Sequence, residues 1–157
     1  MRTLHVFVAG LVLSGGAGCQ VVGGLGPVSA QPERRAINLP GRTTQAPFSD
    51  AVLAGDTLYL SGRLGMDPET GQPPAEPRQE ARNVLDGIKS VLEEAGMTMD
   101  DLVSVQVFCS DVAHYADFNA VYTSYFTSDP PARAFVGSGA LLRGARFEVM
   151  GVAVRRP

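Results

Sequence analysis

Pro130-Pro131-Ala132-Arg133-Ala134-Phe135-Val136 and, further on, Arg146-Phe147-Glu148-Val149-Met150-Gly151-Val152-Ala153-Val154 decide how this chain is read. Each is a short apolar run behind turn residues, which predicts a strand, and the second is the most apolar strand of the sequence. Arg133 opens the first strand, and Glu148 stands inside the second. A carboxylate in such a run must meet a partner, a water or a ligand, because burying an isolated charge is costly. An arginine offers a fixed fork of donors that suits a carboxylate. Together they predict a pocket for a small acidic substrate, with a carboxylate that can handle a water.

The elements before these strands set the fold class. Residues 113–126 predict a helix with an aromatic stripe of Tyr115, Phe118, Val121, Tyr122, Tyr125 and Phe126, read as core. Leu102 to Ser110 alternates: Val103, Val105, Val107 and Cys109 one way, Ser104, Gln106, Phe108 and Ser110 the other. One face should pack on helices and the other meet water or a partner subunit. Residues 77–95 predict a helix burying Ala81, Val84, Leu85, Ile88, Val91, Leu92 and Ala95, with Pro77 at its start, Gly96 past its end and an Arg82/Asp86 pair on its wet face. Ala51-Val52-Leu53 and Thr57 to Ser61 form a hairpin around Ala54-Gly55-Asp56, closed by Gly62-Arg63. The order is β-β-α-β-α-β-β, a single α+β domain over residues 47–157 behind a polar lead-in at 31–46.

Residues 1–30 differ from the rest. Arg2 is their one formal charge, an apolar run follows from Val6 to Leu13, and small residues come next. This layout predicts a secretory leader. Cleavage after Val28-Ser29-Ala30, lipidation at Cys19 within Gly16-Ala17-Gly18-Cys19, and a retained anchor or misassigned start are the three alternatives. The first two place the protein outside the cytoplasm, periplasmic or lipid-anchored in the envelope.

The 157 residues are 45% hydrophobic, with a formal charge of −3 and no basic run. A phosphate-neutralising nucleic-acid surface is not expected. His5 and His114 are the two histidines, and Cys19 and Cys109 the two cysteines. No cluster has metal-ligand spacing, no glycine-rich loop opens a helix, and no serine has a histidine base, so neither metal nor cofactor is expected. Cys109 reads as a buried core thiol. Arg133, Glu148 and small polar groups such as Ser61 and Asn119 remain as candidates.

From about Pro47 to Arg156 the chain resembles the reactive-intermediate deaminase family (RidA, or YjgF-like). The resemblance is carried by Ala46-Pro47-Phe48-Ser49, Leu60-Ser61-Gly62, Glu93-Glu94-Ala95-Gly96, Phe118-Asn119-Ala120-Val121-Tyr122, Pro131-Ala132-Arg133 and Phe147-Glu148-Val149. It implies a fold like that of chorismate mutase, a homotrimer with clefts between subunits, and cofactor-free hydrolysis of enamines and imino acids to 2-oxo acids and ammonia. It assigns Arg133 to the substrate carboxylate and Glu148 to the attacking water, and it lines the cleft with Phe48, Ser61, Gly62, Asn119 and Phe135. The chain departs from the family pattern in carrying Phe48 for a tyrosine, Arg63 for a glutamine, Phe135 for a small or thiol residue and Met150 for a second glutamate. A non-catalytic small-carboxylate binding module and a chaperone-like envelope trimer are the alternative readings.

Overall fold

The structure, a computed structural model, describes residues 33–42 and 46–156. The leader and Cys19 lie outside the described residues. One sheet holds six strands in the order β1-β2-β3-β6-β4-β5: β1 (Arg34–Ile37), β2 (Ala51–Ala54), β3 (Thr57–Leu64), β4 (Leu102–Cys109), β5 (Ala132–Gly137) and β6 (Phe147–Val154). Two α-helices, α1 (Pro77–Glu94) and α2 (Tyr115–Tyr122), complete it. Neighbouring strands are antiparallel except β4 and β5, which α2 joins as a parallel pair. The element order is thus β-β-β-α-β-α-β-β. The segment read as a polar lead-in supplies β1, whose Ile37 is buried opposite Ala51. Two arginines in four residues hide that strand from any periodicity argument, and pairing with β2 creates it.

The sequence places α1 well. Pro77 occupies its first turn, Gly96 follows its end at φ 73°, and all seven expected core residues are buried. Glu80 was not foreseen: it is completely buried on the same helix. Its carboxylate accepts from the backbone N–H groups of Arg146 at 2.6 Å and Phe147 at 3.0 Å, and from the Arg146 guanidinium at 2.8 Å. These bonds fix where β6 begins. Arg82 and Asp86 do not pair; Asp86 instead accepts the Tyr125 hydroxyl at 2.8 Å.

β4 departs from clean alternation at its start. Leu102 pairs with Ala153 and Ser104 with Val152, so Val103 is an extra, bulged residue. Leu102 is buried in its place and Val103 is 48% exposed. α2 is shorter than expected, flanked by 3-10 turns at Val112–His114 and Thr123–Tyr125. Phe118, Val121 and Tyr122 of the aromatic stripe are buried, whereas Tyr115 is exposed. The Phe118 ring packs on Phe147 and Phe135, at 5.0 and 5.6 Å between centroids. The helices cover the sheet face bearing Leu58, Leu60, Val105, Val107, Phe147 and Val149, all buried. The other face carries Phe108, Glu148, Met150 and Val152 with Tyr59 and Val136, and the last two are exposed.

Candidate functional site

The first cluster grows from a bulge in β3. Leu60 pairs with Gly151 and Arg63 with Val149, so Ser61 and Gly62 together oppose Met150. Bulges re-aim side chains and occur beside active sites. The Ser61 hydroxyl donates to the Ser49 carbonyl at 2.7 Å, and its N–H donates to the Asp50 carbonyl at 3.0 Å. These bonds hold the segment that carries Phe48. Gly62 lies beneath the Glu148 carboxylate: a Cβ there would sit 2.2 Å from Glu148 Oε1. Only glycine allows that approach.

Glu148 is half-buried on the open sheet face, beside Leu64 and Phe108. It makes no hydrogen bond or ion pair among the described residues. The carboxylate is half-buried rather than sunk in the core. β6 is apolar because its other face is core, and alternation aims Glu148 away from that core.

Phe48 is 57% exposed, with the Arg42 guanidinium 5.0 Å from its ring centre. Asp50 stands between Arg42 at 3.4 Å and Arg63 at 3.6 Å. The Arg63 side chain lies against α1 where Gly87 leaves room, since a Cβ at Gly87 would come within 2.2 Å of its Nε. Arg63 is thus a paired cation at the rim of this cluster.

The second cluster lies at the β5 edge of the sheet. Arg133 pairs with Val105 and so belongs to the helix-covered face. Its guanidinium carbon is 4.4 Å from the Tyr122 ring centre, 5.8 Å from Phe135 and 5.9 Å from both Tyr115 and Phe118. Among the described residues, Arg133 Nη1 is buried without a hydrogen-bond partner, and so is the Tyr122 hydroxyl. Burial pushes the Tyr122 phenol up, with the Arg133 charge working against that shift. A cleft of about 610 Å³ opens here, lined by Asn119, Tyr122, Thr123, Phe126, Pro131 and Arg133. Sequence reasoning placed Tyr122 in the core stripe. The signal it passed over is that a tyrosine hydroxyl in a buried stripe still needs a partner.

One chain does not bring the two clusters together. Glu148 pairs with Phe108 and Phe108 with Val136, whereas Arg133 pairs with Val105. Cross-strand partners share a face and neighbours along a strand alternate. Arg133 and Glu148 therefore point to opposite sides of the sheet, two strands across and three residues along, roughly 14 Å between Cα atoms at standard spacings. The pocket expected to hold both residues is not formed within one chain; they lie in two separate clusters. Arg133, Phe135 and Asn119 belong to one; Phe48, Ser61, Gly62 and Glu148 belong to the other.

Other polar groups are satisfied within the chain. In the groove between the helices Asp101 pairs with Arg156 at 2.7 Å, and Asp100 accepts from Thr127. Burial opposes the Asp101 charge, yet bonds from Thr98 and Arg156 hold its carboxyl below the usual range. The Cys109 thiol is buried, is pushed up chiefly by that burial, and donates to the Asp111 carbonyl at 3.0 Å. Among the described residues no three His, Cys, Asp or Glu side chains gather as a metal site.

The sheet order, the β3 bulge and the arginine at the β5 edge define a class: the chain belongs to the endoribonuclease L-PSP family, the YjgF/RidA group, whose pattern matches residues 40–155. Among named relatives, the 2-iminobutanoate/2-iminopropanoate deaminase of Bos taurus is 40% identical over 112 residues, covering 71% of this chain and 82% of its own. The human protein of the same name is 37% identical over the same shares. A RutC family protein of Sulfurisphaera tokodaii is 38% identical, covering 66% of this chain and 83% of its own. The crystal structure of the Escherichia coli YjgF product superposes with a TM-score of 0.72 at 32% identity, over 78% of this chain and 99% of that one.

Proposed function

We propose that this protein hydrolyses small 2-imino acids, and the enamines that tautomerise to them, to 2-oxo acids and ammonia, at a site completed by a second copy of the chain. The observation that carries the reading is the buried, unpartnered Nη1 of Arg133 beside an open cleft. A guanidinium held by aromatic rings with a free donor calls for a carboxylate. The deaminase names of the relatives support the same substrate class.

The reaction is R–C(=NH)–COO⁻ + H₂O → R–CO–COO⁻ + NH₃. Arg133 fixes the carboxylate. Glu148 takes a proton as water adds to the imine carbon, and the C=N electron pair moves to nitrogen. That proton passes to the nitrogen, giving the carbinolamine; Glu148 then takes the carbinolamine hydroxyl proton and hands it to the same nitrogen, so that the C–N bond breaks, the carbonyl forms and NH₃ leaves. Glu148 suits this shuttle because its carboxylate is unpaired and overhangs an open backbone at Gly62.

The two half-sites and the half-apolar open sheet face support assembly of copies, which we take to be a homotrimer with the site in the cleft between subunits. The family description also names an endoribonuclease. A formal charge of −3 with no basic run does not favour a surface that neutralises a phosphate backbone. A small-carboxylate binding module is the second reading, favoured by Phe48, which presents no hydroxyl, and by Arg63, which is tied to Asp50. The test is ammonia release from 2-iminopropionate generated in situ by an amino-acid oxidase. Catalysed release supports the deaminase; pyruvate binding without turnover supports the module.

We also propose export, from the sequence of residues 1–30; no helix among the described residues is long and apolar enough to cross a membrane. Intact-mass analysis of cell fractions should find a chain beginning at Gln31 or lipidated at Cys19. Full-length soluble protein alone would contradict it.

A further inference from the structure

Arg133 Nη1 and Tyr122 Oη are the two buried side-chain atoms found without a partner among the described residues, and they belong to side chains in contact. Native interiors seldom leave one such group orphaned, because each costs its full desolvation. Two on contacting side chains that line one cleft point to a single missing acceptor with two oxygens. We propose that Tyr122 is a second substrate-binding group: its hydroxyl donates to the carboxylate that pairs with Arg133, while its ring supports the guanidinium from beneath.

The position explains the geometry. Tyr122 ends α2, and its ring also packs on Phe118 and Phe126, at 5.7 and 4.8 Å between centroids. A ring held on both sides cannot swing its hydroxyl to bulk water. With a phenol pushed up by burial it stays a donor at neutral pH. The remaining cleft wall is Asn119, Thr123, Phe126, Ser128, Pro130 and Pro131, with no further charged group among the residues lining it. The arrangement thus suits a substrate with one carboxylate and an uncharged side chain.

This inference rests on the carboxylate-binding reading of Arg133, so the experiment separates the two. Pyruvate affinity, imine hydrolysis, melting temperature and assembled mass are measured for the parent, Arg133→Ala, Tyr122→Phe and Tyr122→Leu. Tyr122→Phe should melt at or above the parent temperature, because an orphan hydroxyl is removed from the free protein. It should bind pyruvate about ten- to a hundred-fold more weakly, the loss of one hydrogen bond to a charged group. Its KM should rise more than its kcat falls. Tyr122→Leu should lose more, since the ring under Arg133 goes too. If Tyr122→Phe binds like the parent while Arg133→Ala does not, the inference about Tyr122 fails and the carboxylate reading stands. If Tyr122→Phe lowers assembled mass, the hydroxyl serves contact between copies and the inference is overturned. If the parent itself binds no pyruvate and hydrolyses no imine, both fall.

Discussion

Arg133 and Glu148 stand on opposite faces of one sheet, the first over the Tyr122 ring and the second over Gly62. In the proposed reaction, which uses both residues, another copy supplies the missing face. The open sheet face and the separation of the two clusters support that proposal.

Arg133 should be needed for binding and not for folding. Its guanidinium gains from the aromatic rings around it, but a buried donor left unpaired among the described residues offsets that gain, so the free protein depends little on it. Arg133→Ala removes two charge-assisted hydrogen bonds to substrate and should cost about 3–5 kcal/mol of transition-state binding, roughly a hundred- to several-thousand-fold in kcat/KM. Arg133→Lys should also be poor, because a point charge does not reproduce the planar fork. Melting temperatures near the parent value with that loss are the expected result of calorimetry and steady-state kinetics.

Glu148→Gln should keep the melting temperature, because the carboxylate braces no other strand. Pyruvate affinity should hold within a few-fold, while kcat falls by about 10²–10⁴, the usual range for loss of an acid–base group. Gly62→Ala should act on the same step, since its Cβ would displace Glu148 Oε1. Single-turnover kinetics with 2-iminopropionate would read both effects.

Glu80 should show the opposite behaviour. It is buried, ion-paired to Arg146 and bonded to two backbone N–H groups. Glu80→Ala leaves those two N–H donors unpaired and the Arg146 charge without its carboxylate, with only the Pro74 and Ala75 carbonyls still bonded to the guanidinium, and should cost about 3–5 kcal/mol of stability. Activity per folded molecule should survive. Urea unfolding with parallel activity measurement checks both.

The hairpin, both helices and the last three strands were legible because each repeats a period: 3.6 over Ala81 to Ala95, two over Val105 to Cys109. Their edges were not. β1 carries no pattern of its own, and the bulge at Val103 follows from how β4 meets β6, which local sequence does not encode. Arg133 and Glu148 were chosen for their chemistry. Their separation onto two faces was hidden, because it depends on strand register: Arg133 pairs with Val105, and Glu148 with Phe108. Glu80 and Tyr122 were passed over for one reason. Each stands in an apolar helix face where a polar atom matters only once its neighbours are known.

Complementation between two inactive variants tests the shared site most directly. Arg133→Ala and Glu148→Gln are each purified, confirmed to be folded and assembled, then unfolded together in equal amounts and refolded. If each site takes Arg133 from one copy and Glu148 from another, random mixing restores both groups in roughly one site in four. Imine hydrolysis should rise from near zero to about a quarter of the parent rate. If the mixture shows the mass of a mixed assembly and no more activity than its components, the two residues do not meet across subunits, and the account is wrong.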